Sequence, residues 1–227
     1  MITLFTVKKE LLKVCSIAAV ATLAAGTITT AQAQQLVLTF DDLEPTNSVF
    51  EELPIPNGYG GLNWRNFGYL DTVLFNANPS GYINGTISSP NVAFNRFGVP
   101  ATVSRQRGLF DFNSAYLTGA WNNNLKILVE GFASGITKYS TTVTVNSTSP
   151  TQINFDFLGI DTLRFTSFGG INAGYGGLGS QMVLDNFSYT PQPVSEPTNI
   201  LGLITAASFG VASRSKKRQE PKAIGKN

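Results

Sequence analysis

Residues 151–168 read TQINFDFLGIDTLRFTSF, and their pattern decides the predicted fold. Apolar side chains occupy alternate positions in two runs, at 153–157 and again at 163–165. Because successive side chains of a β-strand point to opposite faces, each run is predicted to be a strand with one buried face. A Gly-Ile-Asp sequence at 159–161 separates the runs, so we expect two distinct strands of one β-sheet domain.

Short runs of the same kind recur along the chain between turn-forming residues. Further strands are predicted at 36–40, 72–75, 81–87, 109–121, 125–132, 138–145 and 182–189. About nine strands, with no long segment of 3.6-residue period, predict an all-β antiparallel β-sandwich of jelly-roll type over residues 34–191. An N-terminal signal helix and a short hydrophobic C-terminal helix are predicted to flank this domain.

The first 33 residues have the three parts of a secretory signal peptide. A start with three lysines precedes a run of apolar and small residues at 14–25, which is short for a membrane span. The small residues of a signal-peptidase site follow, and they predict cleavage before Gln34; the site is Ala31-Gln32-Ala33. Residues 1–33 therefore predict export through a Sec-type machinery and cleavage by signal peptidase, with a retained N-terminal anchor as the alternative.

The C-terminal region has a second tripartite organisation. A Ser195-Glu196-Pro197 motif precedes a mostly apolar run at 200–212. The basic cluster that follows consists of Arg214, Lys216, Lys217 and Arg218. A short hydrophobic segment with a basic end favours a transmembrane helix that anchors the chain temporarily, with its basic end in the cytoplasm. The alternative is an amphipathic helix of the globular domain, which the absence of a polar stripe disfavours.

These three parts resemble a PEP-CTERM sorting signal, in which a Pro-Glu-Pro motif precedes a short hydrophobic helix and a basic cluster. The resemblance covers residues 195–218 and departs from the motif at Ser195, which stands where the first proline is expected. It implies that an exosortase-type membrane protease processes the tail and that the protein reaches the cell surface or secreted extracellular matrix. Residues 192–218 are thus predicted to be a linker and sorting signal, and 219–227 a polar tail.

Charge and composition exclude several functional classes. Residues 34–195 carry seven Lys/Arg and eleven Asp/Glu, a net charge of −4, so the overall balance of +2 comes from the terminal segments. The basic balance therefore does not predict a nucleic-acid partner. The chain has no histidine, which excludes Ser-His-Asp triads and His-ligated metal centres. Its one cysteine, Cys15, lies in the predicted signal peptide, so the mature chain has no disulfide.

The central domain also resembles a module of exosortase-sorted and other secreted proteins. The resemblance rests on TFDDL at 39–43, GYGGLNW at 58–64 and LDN at 184–186. The general shape of this module is similar to that of carbohydrate-binding jelly rolls. The resemblance therefore implies extracellular polysaccharide as the expected class of ligand.

Three aspartates are candidate metal ligands. Asp41 and Asp42 end the first predicted strand, and Asp185 lies in the last. Because the terminal strands of a jelly roll are often neighbours, these carboxylates are predicted to converge on a structural Ca²⁺, a hard ion that binds about six to eight oxygens. The alternative is that each aspartate makes an ordinary turn hydrogen bond. No other cofactor is expected.

Aromatic residues near predicted loops are candidates for stacking on sugar rings. A Gly-Tyr-Gly-Gly-Leu sequence occurs at both 58–62 and 174–178, and if this repetition is more than coincidence the two loops lie at one end of the sandwich. Two tryptophans are expected to be exposed because polar residues flank them. The candidate ligand-binding residues are Tyr59, Trp64, Trp121 and Tyr175. For each of them, packing in the core is the alternative.

Three functional classes remain open from the sequence. We expect a non-catalytic protein of the cell surface or extracellular matrix that binds polysaccharide. A purely structural matrix protein without a ligand is one alternative. A polysaccharide-active hydrolase is the other, and it needs two opposed carboxylates in a cleft, such as Glu51-Glu52 with Asp41-Asp42.

The two terminal signals predict the ends of the mature protein. Mass spectrometry of cell-surface material should identify Gln34 as the N-terminus, because the small residues before it suit signal peptidase. It should find no peptide beyond about Pro197, because the sorting signal is removed. Intact molecules that carry the Lys216-Lys217-Arg218 cluster in a matrix fraction would contradict the sorting hypothesis.

Overall fold

Alternating apolar and polar residues build strands over most of the domain. In the computed structural model, the described residues are 33–46, 48, 51–75 and 77–194. They form fourteen strands, one short α-helix (α1, Gly81–Asn84) and two single-turn 3-10 helices (Tyr59–Gly61 and Arg96–Gly98). The strands are β1 (Leu36–Leu38), β2 (Leu53–Pro54), β3 (Asn63–Arg65), β4 (Phe67–Asp71), β5 (Asn91–Asn95), β6 (Ala101–Ser104), β7 (Phe110–Gly119), β8 (Asn122–Asn123), β9 (Leu125–Ala133), β10 (Ile136–Val145), β11 (Thr151–Ile160), β12 (Thr162–Phe168), β13 (Ile171–Asn172) and β14 (Met182–Pro191).

Two antiparallel sheets pack face to face, and this confirms the predicted all-β sandwich. The seven-stranded sheet has the order β11-β7-β14-β5-β4-β2, and β1 also pairs with β14. The five-stranded sheet has the order β10-β9-β12-β6-β3, while β8 and β13 form a separate two-stranded ribbon. In the larger sheet, β14 pairs with β7 along most of its length, with β5 near its start and with β1 near its end. β14 is therefore the central strand of that sheet.

Side-chain alternation along β9 and β12 defines the inner and outer faces of the five-stranded sheet. Leu125, Ile127 and Val129 of β9 are fully buried, and so are Leu163 and Phe165 of β12. The residues between them are partly or fully exposed. The buried set belongs to the main hydrophobic core, and the intervening residues form the outer face of the sheet.

Aromatic rings from both sheets fill the space between them. The ring of Phe112 in β7 is stacked on Phe155 at 4.7 Å and on Phe187 at 4.8 Å between centroids. Its edge meets Phe165 of the other sheet at 6.0 Å. Offset and edge-to-face arrangements of this kind are the preferred geometries of aromatic pairs and add to the stabilisation from burial.

A second, smaller cluster covers the outer face of the seven-stranded sheet. Tyr82 of α1 lies edge-on to Phe94 at 5.3 Å between ring centroids. The buried members of this cluster are Leu70, Tyr82, Val92, Phe94, Ala120 and Val183. Because α1 and the segments around it cover this face, β4, β5 and β14 are largely buried on both faces.

Two predicted strands are wrong, and local hydrogen bonds explain both. Residues 72–75 form a turn in which the Asp71 carboxylate accepts hydrogen bonds from the N–H groups of Val73 and Leu74, at 2.8 and 3.1 Å. The predicted strand at 81–87 begins with α1, where the Ser80 hydroxyl accepts the N–H of Ile83 at 3.4 Å. Side-chain bonds to the backbone of this kind favour turns and helix starts over strands.

Short strands and strands buried on both faces account for the elements that the sequence pattern missed. β2, β3 and β6 contain two to four residues, which is too few for a two-residue period to be recognised. β4 is buried at four of its five positions and β5 at every position, so neither strand shows alternation. The predicted flanking helices lie outside the described residues. Within the described residues, no helix has the length and apolar character needed to span a bilayer.

Trp64 is predicted to be essential to the stability of the sandwich. Its side chain is 5% exposed, so Trp64→Ala should lower the free energy of unfolding by about 3–5 kcal/mol through lost burial and a cavity. Denaturant unfolding of the purified protein measures this change. Phe97, which is 73% exposed, provides the control, since Phe97→Ala should change the unfolding free energy by less than about 0.5 kcal/mol. Equal stability of the two variants would contradict the core position of Trp64.

Candidate functional site

Trp64 lies in the core, and the expectation that it is exposed is wrong. Its indole Nε1 donates a hydrogen bond to the carbonyl of Tyr59 at 3.0 Å. Its ring meets Phe67 and Phe187 edge-on, at 5.2 and 5.5 Å between centroids. Polar neighbours misled the prediction because Asn63 and Trp64 are successive residues of β3 and therefore point to opposite faces. The indole offers no free face for a sugar ring.

Tyr59 connects its loop to the end of β1. Its hydroxyl donates to the Asp42 carboxylate at 2.7 Å and accepts the N–H of Phe40 at 3.1 Å. Burial, followed by the hydrogen bond to Asp42, raises the pKa of Tyr59 above its usual value. The side chain is only partly exposed and both functions of its hydroxyl are used within the protein. Tyr59 is therefore placed as a structural residue.

The loop that carries Tyr175 packs on Trp121, but no ring contact between these two residues forms an aromatic platform among the described residues. The Trp121 ring meets Tyr82 edge-on at 5.5 Å. Its indole is also covered by the backbone of Gly177, where an added Cβ would overlap the ring. Tyr175 is partly buried within the same glycine-rich loop. Glycine at 177 is therefore required by the close approach of the loop to the indole.

The two Gly-Tyr-Gly-Gly-Leu loops lie at opposite ends of the sandwich. The Tyr189 hydroxyl, near the end of β14, donates a hydrogen bond to the Gly60 carbonyl in the first loop. The second loop packs on Trp121, and the adjacent Ala120 donates its N–H to Gln181, just before β14 begins. Because these contacts are at the two ends of one ten-residue strand, the loops are not the neighbours that the conditional reading of the repetition required, and coincidence remains as its explanation.

The three predicted metal ligands each have a different partner. Asp41 accepts the N–H of Asn91 at 2.9 Å, and Asp42 accepts the Tyr59 hydroxyl. No group of three or more His, Cys, Asp or Glu residues is arranged to hold a metal ion in the described part of the chain. The predicted convergence of Asp41, Asp42 and Asp185 on Ca²⁺ is therefore wrong, and the alternative of structural hydrogen bonds describes them.

Asp185 is a buried acceptor that organises the loop after α1. One carboxylate oxygen accepts the N–H groups of Ile87 and Ser88 at 2.7 and 2.9 Å. The other accepts the Ser88 hydroxyl at 3.1 Å and the N–H of Asn186 at 2.7 Å. Burial raises the pKa of Asp185, and these hydrogen bonds oppose the shift. Three N–H groups and one hydroxyl thus satisfy the buried carboxylate and compensate for its loss of solvent.

An open polar trough lies on the outer face of the five-stranded sheet. Three adjoining depressions, with volumes of about 610, 330 and 250 Å³, have Thr102 of β6 in common. Cross-strand pairing places the side chains of β3, β6, β12 and β9 in two rows that cross this face. The first row is Asn63, Ser104, Thr162 and Phe132; the second is Arg65, Thr102, Arg164 and Glu130.

Arg164 forms a fixed part of the trough wall. Its Nε and Nη2 donate to one oxygen of Glu130, at 2.9 and 2.7 Å. Its guanidinium lies over the Phe132 ring at 4.9 Å from the centroid. The ion pair is nearly half exposed on the arginine side and contributes little to stability by itself, but it fixes the position of both side chains.

Hydroxyl and amide groups line the largest of the three depressions. They belong to Asn57, Asn63, Thr102, Ser104, Gln106 and Thr162. Asn57 uses its side-chain oxygen to accept the N–H of Trp64 at 2.9 Å, which leaves its amide N–H groups for other partners. This lining can both donate and accept hydrogen bonds, and no Asp or Glu is among the described residues that line the three depressions.

The sequence did not identify the hydroxyl and arginine residues of the trough, although part of the signal was present. The alternation that buries Leu163 and Phe165 also places Arg164 on the outer face. Phe132 and Glu130 follow from the same argument in β9. β3 and β6 are too short to be predicted from alternation. The sequence therefore did not predict the register that places Arg65 and Thr102 beside Arg164.

Comparison with known proteins assigns this chain to no family. No family model and no curated protein matches the chain. Among solved structures, it is similar to a DUF4465 family protein from Bacteroides ovatus ATCC 8483 (9% identity, TM-score 0.40, covering 70% of this chain and 100% of that one). It is also similar to TmCBM61 in complex with β-1,4-galactotriose. The identity is 13% and the TM-score 0.33, and the match covers 60% of this chain and 95% of that one.

A third similar structure is the arabinose-bound α-L-arabinofuranosidase MgGH51. The identity is 14% and the TM-score 0.38, and the match covers 70% of this chain but only 26% of the enzyme. With identities of 9–14% and TM-scores of 0.33–0.40, these three similarities show neither the ligand nor the activity of this chain.

Removal of the Asp185 carboxylate is predicted to destabilise the fold without any involvement of metal. Asp185→Ala leaves buried N–H donors without an acceptor, which should lower the unfolding free energy by about 3 kcal/mol or more. Asp185→Asn keeps one acceptor oxygen and should lower the unfolding free energy by less than Asp185→Ala does. Thermal unfolding with and without EDTA provides the measurement, and the exposed Glu44→Ala is the control carboxylate. A melting temperature that falls on addition of EDTA in the wild type, but not in Asp185→Asn, would contradict this assignment.

Proposed function

We propose that this is an exported, non-catalytic protein of the cell surface or extracellular matrix whose sandwich binds polysaccharide in the trough. The observation that carries the proposal is the open row of hydroxyl, amide and guanidinium groups across β3, β6 and β12. The proposal of export rests on the sequence of the two terminal signals. Residues 1–32 and 195–227, which contain most of these signals, lie outside the described part of the chain.

The chemistry of the lining matches a hydroxyl-rich ligand. Sugar hydroxyls both donate and accept, and so do the Thr, Ser, Asn and Gln side chains of the trough. Neighbouring positions in a row are about 4.8 Å apart, which is comparable with the width of a pyranose ring. A chain of sugars laid across the strands would therefore meet a new side chain at each step.

The position of the trough on paired strands also supports binding. Side chains such as Thr102 and Thr162 project from strands that are hydrogen-bonded on both sides. Arg164 is fixed by Glu130 and Phe132. Groups that are already ordered lose little conformational entropy when a ligand binds, so a shallow polar site of this kind can hold a polymer.

The carboxylates of the described residues support binding rather than hydrolysis. Glycoside hydrolysis needs an acid and a second carboxylate on opposite sides of the bond. Glu130 borders the trough but is paired with Arg164. Glu52 and Asp42 belong to the carboxylates that the sequence offered for a hydrolase. Glu52 forms an ion pair with Arg96 at 3.3 Å, and the Asp42 carboxylate accepts a hydrogen bond from the Tyr59 hydroxyl. We therefore propose a binding module and not a hydrolase.

Filling the trough should abolish polysaccharide binding. Thr102 borders all three depressions and faces outward, so Thr102→Tyr should weaken binding at least about tenfold by steric exclusion while the fold is retained. Affinity electrophoresis in gels that contain a panel of neutral and acidic polysaccharides measures the retardation of the full mature chain.

Thr142→Tyr is the matched control for this experiment. Thr142 is exposed on β10 of the same outer face, and none of the three depressions includes it. Retardation of the wild type and Thr142→Tyr, but not of Thr102→Tyr, is the expected result. A wild-type protein that no polysaccharide retards would favour the purely structural matrix protein, and equal binding by both variants would place the ligand elsewhere.

A further inference from the structure

We propose that the trough is selective for anionic polysaccharides and that Arg65 binds their carboxylate or sulfate groups. This inference rests on the proposed function and specifies the class of polysaccharide. Its basis is the distribution of charge over the described surface and the free guanidinium of Arg65 in the wall of the trough.

Charge is segregated on the surface of the sandwich. The domain as a whole is acidic, with seven Lys/Arg and eleven Asp/Glu in residues 34–195. The outward-facing positions of the five-stranded sheet have the opposite balance. Among the described residues, this face carries the cations Arg65, Lys126 and Arg164 and the single anion Glu130. A face of net charge +2 on a domain of net charge −4 attracts anions to one side of the protein.

Most cations of the domain are already bound within the protein. Arg96 pairs with Glu52, and Arg164 pairs with Glu130. Arg105 donates to the carbonyls of Leu109 and Gln192, and Lys138 donates to the carbonyls of Leu158 and Gly159. These four side chains have structural roles and are not available to a ligand without loss of a contact.

Arg65 differs from these four cations. Its side chain is exposed, and it has no hydrogen bond or ion pair with any residue in the described part of the chain. It borders the depressions of about 610 and 330 Å³ and lies directly opposite Thr102 in the sheet register. A guanidinium presents a planar set of donors that matches a carboxylate or sulfate with two parallel hydrogen bonds.

The neighbours of Arg65 complete a site for an acidic sugar. Thr102 separates it from Arg164 in the same row, so the two guanidinium groups stand on strands about 10 Å apart. A carboxylated sugar bound between them would contact a cation at its acidic group and hydroxyl or amide groups at its ring. No carboxylate among the described lining residues of these depressions would repel it.

Two pairs of polymers test this selectivity by affinity electrophoresis of the full mature chain. Polygalacturonate is compared with its methyl-esterified form, and dextran sulfate with dextran, so that each pair differs in charge on one backbone. The acidic member of a pair should retard the wild type more strongly, and the difference should diminish as salt is raised. Arg65→Gln should reduce the affinity for the acidic member about tenfold or more.

Two further variants separate a specific site from general attraction. Arg65→Lys keeps the charge but not the planar donors and should restore binding only in part. Arg107→Gln removes an exposed cation from the turn between β6 and β7 and should leave binding unchanged. All variants have the same two ends, so any contribution of the termini to binding is equal in every measurement.

The outcomes distinguish this inference from the proposed function. The charged and neutral members of a pair could retard the wild type equally, and Thr102→Tyr could lose both effects. That result would overturn the anionic selectivity and leave the proposed polysaccharide binding intact. An effect of Arg107→Gln as large as that of Arg65→Gln would also overturn it, because the attraction would then be general. Failure of every polymer to retard the wild type would overturn both.

Discussion

The packing of aromatic rings around Phe112 is the interaction on which the sandwich depends. Phe112 contributes one ring to a stack of three within the seven-stranded sheet and meets Phe165 of the five-stranded sheet edge-on. The chain has one cysteine, so no intramolecular disulfide joins the sheets. The distance and the angle between them are therefore set by how these rings fit together, at a separation of about 10 Å.

This core determines the outer face of the five-stranded sheet as well as the inner one. Because Phe165 and Leu163 must point toward the rings, Arg164 must point away from them. The same constraint on β3 buries Trp64 and turns Asn63 and Arg65 outward. The trough is therefore a consequence of core packing, and a one-residue shift in register would remove the trough and the core together.

The sequence predicts the long strands well because apolar and polar residues that alternate over seven to ten positions fit a half-buried strand and do not fit a helix. It predicts the site poorly, since a site on a sheet face depends on which strands are neighbours. Arg65 and Arg164 are about a hundred residues apart in the chain, and only the pairing of β3, β6 and β12 brings them into one row. Trp64 is buried although polar residues flank it, because polar neighbours in a strand point to the opposite face and do not indicate exposure of the residue between them.

An open polar trough gains little net free energy from each hydrogen bond, because every bond to a sugar replaces one to water. Affinity of such a site therefore depends on the number of contacts along a polymer and on charge. Charge would also select the face: an acidic polymer would be repelled by most of a domain with net charge −4 and attracted by the face that carries Arg65 and Lys126. If the trough binds an acidic polymer as proposed, the segregation of charge would bring that polymer to the face that carries the hydroxyl and amide groups.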